Sequence, residues 1–335
     1  MGSQGSGTHQ MKISVALCTY NGERFLSEQL ESYLDQNRLP DELVVCDDGS
    51  SDSTISILKA FRQQAPFPVS VHINDTNLGL VANFGKVISL CTGDAICLSD
   101  QDDVWLPNKL ELVEKAFYTS DNVGMVYADA DVVTERLQST GLTMWNCIRF
   151  NPSKKASFKA GMAFDELLKD GTVLGSSMAF LSKFNSLILP IPQDIYFVHD
   201  NWIALVVAAV SDVQIIEKPL IKYRQHSDQT SSGMQPPNVT SVNSVLTSTK
   251  TKNDFTASIT QLDILRNRLA GNERCTASIN KLTAARNHFM IRSRLPQKFS
   301  GRIYTVIKEY FNGNYGKYSN GFLSAMKDVF IQQKP

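Results

Sequence analysis

Two rhythms of hydrophobic and polar positions share the first hundred residues. Short apolar runs, Ile13 to Cys18, Leu43 to Cys46 and Ala95 to Leu98, have the length and β-branched content of buried strands, and Val69 to Ile73 reads as a further strand between the last two. Between them apolar residues recur at helical spacing. Phe25, Leu26, Leu30 and Leu34 do so within Glu23 to Leu34, and Ile55, Leu58 and Phe61 within Ser53 to Phe61. A third helix opens at Asn77-Leu78-Gly79 and runs to about Leu90. Strands alternating with helices this regularly predict an α/β fold, with a doubly wound, mostly parallel, Rossmann-like sheet and right-handed crossovers.

After the fourth strand the rhythm loosens. Trp105 and Leu106 open a helical pattern to Phe117, Gly124 to Ala130 reads as a strand, and an irregular stretch follows to about Phe158. Gly175 to Leu181, Val213 to Ile216 and Leu220 to Tyr223 read as strands, and His199-Asp200-Asn201-Trp202 starts an apolar helix. Residues 233–254 are rich in Ser, Thr, Asn and Pro and read as a polar linker or mobile loop. The remainder, 255–335, is helical in pattern and basic. Residues 11–232 would then be one domain, with 255–335 a C-terminal helical extension and the small polar residues 1–10 a remnant outside the fold.

Composition narrows the class. In 335 residues Lys and Arg balance Asp and Glu at 33 each, so the chain as a whole is no polyanion binder and no nucleic-acid partner is expected. The longest uninterrupted apolar run of note, Ile203 to Val210, has eight residues, far short of the ~20 a membrane-spanning helix needs. The six cysteines form no Cys-x-x-Cys pair, and Cys18, Cys46 and Cys97 sit in apolar runs, a reduced, cytoplasmic pattern.

The candidate chemistry lies at strand ends. Ala95 to Leu98 runs straight into Asp100, Asp102 and Asp103, and the second strand into Asp47 and Asp48. In a doubly wound sheet both sets face one crevice at the carboxyl edge. Acids at i, i+2 can share a hard divalent cation whose shell is completed by water and substrate phosphates. The alternative is that Asp102 or Asp103 merely caps the following helix. An acid near the first strands can accept a hydrogen bond from a base or ribose, and Tyr20 offers a ring for stacking. The first strand lacks a Gly-x-Gly-x-x-Gly turn, and no phosphate-cradling Gly-x-x-x-x-Gly-Lys loop exists. Phosphate charge must then be met by metal, which favours a nucleotide-sugar enzyme over a dehydrogenase or kinase.

Five ordered motifs carry a resemblance. Cys18-Thr19-Tyr20-Asn21-Gly22, Val45-Cys46-Asp47-Asp48-Gly49-Ser50-Ser51-Asp52, Asn77-Leu78-Gly79, Gly93-Asp94 and Ser99-Asp100-Gln101-Asp102-Asp103-Val104-Trp105 resemble the family-2 glycosyltransferases of GT-A fold. The likeness is strongest to the bacterial rhamnosyltransferase-like branch that builds O-antigen and capsule, and it covers about Met11 to Ser232. It implies that Thr19, Tyr20, Asn21 and Asp48 lie at the nucleotide, that Asp100 lies near ribose and diphosphate, and that Asp102 ligates Mg or Mn. It implies Asp200 as the base that deprotonates the acceptor, preceded by His199 where Glu is common; a helix N-cap is the other reading, and both can hold. Tyr223-Arg224-Gln225-His226 is similar to a Tyr-Arg-x-His element, which places Arg224 on phosphate or a site carboxylate and His226 on the metal or diphosphate. A second departure is Asn83-Phe84, where many members carry Arg-Asn.

The implied reaction is inverting and metal-dependent, with dTDP-L-rhamnose as donor and a growing, lipid-linked bacterial surface polysaccharide as acceptor. A UDP-hexose donor, or a catalytically silent nucleotide- or glycan-binding module, is the alternative. One expectation comes from composition alone. From Arg286 to Pro335 there are nine Lys and Arg against Glu309 and Asp328, interleaved with aromatics. Such a segment suits an anionic membrane surface, on the inner face of the cytoplasmic membrane. Packing against the catalytic domain or a second subunit is the competing reading, since Leu323, Met326 and Phe330 at i, i+3, i+7 would serve a core as well.

Overall fold

The computed structural model describes residues 10–169, 173–193, 198–227, 229 and 252–330, with side chains in the last segment from Phe255. Of the expected linker only its last three positions fall among them, at the start of a helix, and of the leader only Gln10.

Strands β1 (Ile13–Thr19), β2 (Glu42–Asp47), β3 (Val69–Ile73) and β4 (Ala95–Ser99) are linked by helices α1 (Leu26–Leu34), α2 (Thr54–Gln64) and α3 (Leu80–Leu90). They pair in parallel in the order β3-β2-β1-β4. Every residue of β1 and of β4 is buried, as expected of strands covered by helices on both faces. The chain leaves β1 toward β2 on one side and returns to β4 on the other. The carboxyl ends of β1 and β4 are therefore the switch point at which open α/β sheets bind ligands.

Beyond β4 the sheet becomes mixed. Its order continues through β8 (Met178–Leu181), β6 (Val123–Thr134) and β9 (Asp212–Gln225) to β5 (Val104–Trp105), with β7 (Ser139–Thr143) paired to β6. β8 runs antiparallel to both β4 and β6, and β9 parallel to β6.

Three local expectations change. Val104 and Trp105 form a strand against Lys222 and Ile221 instead of opening a helix. Pro107 keeps Leu106 out of helical geometry, so α4 begins only at Lys109 and runs to Phe117, and neither Asp102 nor Asp103 caps it. The stretch after Ala130 is ordered: β6 continues into a hairpin with β7, followed by α5 (Met144–Cys147) and α6 (Pro152–Lys159). Thr143 and Asn146 cap α5 reciprocally, and Asn151 with Pro152 starts α6. With Phe158 its only buried residue, α6 has too thin an apolar stripe for periodicity to reveal it. The two strands expected between Val213 and Tyr223 are one, whose register against β6 shifts where Asp129 faces Pro219.

Short helices α7 (Ala163–Lys169) and α8 (Asn185–Ile188) precede α9 (His199–Ala208). Helices α10 (Lys252–Leu269) and α11 (Thr276–Ser293) join the main core through Leu262, Leu265, Leu269 and Leu282. Arg268 fastens α10 by donating to the carbonyls of Leu187, Ile188 and Pro190. Helices α12 (Phe299–Phe311), α13 (Asn314–Tyr318) and α14 (Phe322–Phe330) close over a small separate core of Val306, Tyr315 and Ala325. Among the described residues no helix is long and apolar enough to cross a membrane.

Candidate active site

The loops after β1 and β2 clasp one another. Thr19 Oγ1 donates to Asp47 Oδ2 at 2.7 Å, and Asp47 also accepts the Ser50 N–H at 2.8 Å. Asn21 donates its N–H to Ser50 Oγ and accepts from Ser51 N at 2.9 Å, with its own backbone at φ 47°. Thr19 and Asn21 thus shape the crevice wall, while the Tyr20 ring is left half exposed above it. Gln101 bridges the switch point, accepting from Tyr20 N at 2.9 Å and donating to Tyr20 O at 3.1 Å. Gly22 lies beneath it, and a Cβ there would lie 2.3 Å from Gln101 Oε1 and displace the amide from this bridge.

Asp48 is buried and accepts three hydrogen bonds: Leu78 N at 2.7 Å, Gly79 N at 2.9 Å and Asn74 Nδ2 at 2.7 Å. A carboxylate has about four acceptor positions, so one remains for a ligand. The Asn-Leu-Gly motif is thereby tied to the end of β2. Asn83 donates to Cys46 O at 2.9 Å and accepts from Asn74. Lys86, one turn further along α3, reaches Asn74 Oδ1 at 2.6 Å and places a cation at this corner.

The β4 acids and the end of β9 form a second group. Asp102 Oδ2 lies 2.8 Å from His226 Nε2, whose ring packs 4.6 Å from Phe25. Asp103 is buried, accepting from Ser176 Oγ at 2.7 Å and Arg224 N at 3.2 Å. Burial, then the neighbouring Asp102, raises its carboxyl to about 7. Asp100 is raised well above the carboxylate range, first by desolvation and then by Asp103, Asp102 and Asp200. Lys109 offsets part of this crowding. It is buried over the Trp105 ring at 3.7 Å, donates to Ser176 O at 2.6 Å, and desolvation lowers it to about 8.

Arg224 is placed differently from a phosphate ligand. It is buried, and its guanidinium donates to Asp102 O at 2.8 Å, to Glu135 O and to the Glu28 carboxylate. Of the two roles implied for it, pairing with a carboxylate is the one found, and the partner is Glu28 of α1. A side chain already committed to three acceptors holds the acid loop in place instead of reaching for a diphosphate.

Asp200 stands in the first turn of α9, where Val198 occupies the capping position and makes no side-chain cap. Its Oδ1 accepts the Asn201 N–H at 2.7 Å, and desolvation raises the carboxyl to about 6. His199 is buried against Phe84, the rings stacked 3.8 Å apart at 9°, and burial lowers it to about 3. The two departures noted in the sequence therefore touch each other, and among the described residues neither ring nitrogen of the neutral imidazole has a hydrogen bond. Gly175 lies against this pair: a Cβ there would sit 3.0 Å from His199 Nε2 and 3.3 Å from Asp200 Cβ.

Whether these residues fit a divalent ion is decided by donors and charge. Among the described residues no three His, Cys, Asp or Glu side chains converge as a complete metal site. Asp102 and His226 offer an oxygen and a nitrogen beside acids whose mutual repulsion a cation would relieve. Such a two-ligand set fits an ion completed by phosphate oxygens and water.

Gln101, Ser176, Lys109, Glu28 and Gly175 were not singled out from sequence. Gln101 lies inside a quoted motif, yet its bridge to Tyr20 spans two strands. Lys109 and Ser176 belong to segments that carry no motif.

Residues 14–166 match the family described as "Glycosyl transferase family 2". An uncharacterized glycosyltransferase of Nostoc is 37% identical over 117 residues, 35% of this chain and 36% of that protein. The "dTDP-rhamnosyl transferase RfbG" of Shigella flexneri is 33% identical over 99 residues, 28% of this chain and 34% of that protein. A β-1,3-glucosyltransferase of Escherichia coli, WfgD, is 27% identical over 121 residues, 36% of this chain and 46% of that protein. The chain thus spans between a third and a half of the length of these relatives. In structure it is similar to Staphylococcus aureus TarS 1–349 in complex with UDP-GlcNAc, with TM-score 0.57 and 14% identity over 90% of this chain and 81% of that one. With its ordered motifs, the β3-β2-β1-β4 sheet and the family match, residues 14–166 are a glycosyltransferase family 2 domain, and the fold is GT-A.

Proposed function

We propose that the chain transfers a sugar from a nucleoside-diphosphate donor to a hydroxyl acceptor with inversion, Asp200 acting as general base. The observation that carries this is the position of Asp200, a carboxylate raised to about 6 and close enough to the β4 acids to raise Asp100. A base with a pKa just below neutral is ionised at working pH yet still takes a proton. Tyr20 stacks on the base, and Asp48 keeps one acceptor position for it or the ribose. Asp102 and His226 would hold Mg or Mn, with Asp100 beside the ribose and diphosphate. An ion held by them would supply positive charge against the leaving diphosphate. Arg224 and Lys109 keep the acid loop in register, and Gly175 leaves room for the acceptor hydroxyl at Asp200.

The donor reading is dTDP-L-rhamnose, and the acceptor a lipid-linked bacterial surface polysaccharide met at the inner face of the cytoplasmic membrane. The likeness to the Shigella flexneri dTDP-rhamnosyl transferase supports the sugar. The likeness to an Escherichia coli UDP-glucose enzyme supports the second reading, a UDP-hexose donor. A hydrolysis screen over dTDP-rhamnose and UDP-hexoses, with Mn and with EDTA, tests both. Release of dTDP from dTDP-rhamnose alone, abolished by EDTA, is expected. Turnover of UDP-glucose in its place moves the assignment to the second reading, and no turnover of any donor refutes the enzyme.

A further inference from the structure

Helices in water normally turn their apolar stripe inward. The last two long helices do the reverse. On α12, Arg302, Val306 and Glu309 are buried, while Tyr304, Ile307 and Phe311, at i, i+3 and i+7, are 70%, 47% and 83% exposed. On α14, Ala325 and Asp328 are buried while Phe322, Leu323 and Phe330 are exposed. Leu323 and Phe330, the positions that could have served a core, do not.

This inversion is not a failure of inner packing, because the buried acids are matched. His288 Nδ1 lies 2.9 Å from Glu309 Oε2, and Asn314 donates to the same oxygen at 2.9 Å. Arg292 grips both oxygens of Asp328 at 2.6 and 3.1 Å, and Tyr315 OH donates to it at 2.7 Å. The outer aromatics join into one strip across the two antiparallel helices, with Phe299 6.5 Å from Phe330 at one end and Tyr310 6.2 Å from Phe322 at the other. A 13-residue helix makes that strip about 20 Å long.

Charge identifies what the strip meets. Within residues 294–330 the exposed charged side chains, Arg294, Lys298, Lys308 and Lys317, are all cationic, and both acids are inside. A two-fold contact between copies would set these cations against each other. A bilayer with anionic headgroups accepts the rings at headgroup depth and the cations at its surface. The geometry points to α12 and α14 as a peripheral docking face for an anionic lipid bilayer. These helices pack on a small core of Val306, Tyr315 and Ala325 distinct from the main core that holds the Asp200 helix, so loss of one activity need not affect the other.

Flotation of the full chain with vesicles of phosphatidylcholine, alone or mixed with phosphatidylglycerol, tests this. Binding to the mixed vesicles only, weakened by salt, is expected. Ile307→Ser with Phe311→Ser should lower partition ~10-fold or more, and Lys308→Gln and Lys317→Gln about fivefold each. All four positions are exposed, and circular dichroism should show an unchanged fold. Failure to float with phosphatidylglycerol, or variants that float like the parent, overturns the assignment. Light scattering that shows a dimer dissolved by Ile307→Ser with Phe311→Ser gives the face to a second copy and also overturns it.

Discussion

Asp200→Asn separates a catalytic base from a helix-terminal acid. The substitution keeps the side chain's shape, and its Oδ1 can still accept the Asn201 N–H now held at 2.7 Å. Only the ability to take a proton is lost. General-base catalysis contributes roughly 10²–10⁴-fold, so kcat should fall by at least ~10²-fold with donor affinity little changed. The pH profile supplies a second, independent magnitude. Desolvation holds the proton on Asp200 up to about pH 6, so the acid form dominates below that value and the base above it. About nine-tenths is ionised at pH 7 and about a tenth at pH 5, so kcat/KM should drop roughly tenfold between them. In the Asn variant that slope should vanish, leaving a low, flat rate. Single-turnover transfer across this pH range, with donor binding measured in parallel, reads both effects. Normal turnover in the variant, or an unchanged acid limb, refutes the assignment of the base.

Three other perturbations address the crevice. Gly175→Ala puts a methyl 3.0 Å from His199 Nε2 and 3.3 Å from Asp200 Cβ, so turnover should fall ~10-fold or more at a stability cost of about 1–3 kcal/mol, read by kinetics and thermal unfolding. Asp48→Asn replaces the acceptor of Gly79 N, held at 2.9 Å, by an NH₂ group; about 1–3 kcal/mol of stability should be lost, measured by urea unfolding. Tyr20→Ala removes a half-exposed ring and should raise KM for the donor about tenfold with kcat nearly unchanged, the range of one base–aromatic stack.

The parallel half of the sheet was legible in the sequence because its information is local. Each strand from Ile13 to Leu98 is a short stretch dominated by apolar, often β-branched residues, each helix between them a 3.6-residue stripe, and the acids stand at strand ends where chain order alone aims them at one edge. The same locality failed where order depends on partners. Trp105 became a strand because β9 offered it an edge and Pro107 forbade an earlier helix, and α6 formed with one buried residue. Tertiary structure alone turned Arg224 away from phosphate toward Glu28, 196 positions earlier, and brought Phe84 onto His199. It also raised the acids, since desolvation depends on what packs around a carboxyl and not on its neighbours in the chain. The C-terminal helices show the division most plainly. Periodicity reveals that Leu323, Met326 and Phe330 share a face, but which face is buried depends on the competing interior. There the paired charges of Arg292 with Asp328 and His288 with Glu309 occupy the inside and leave the aromatics outside.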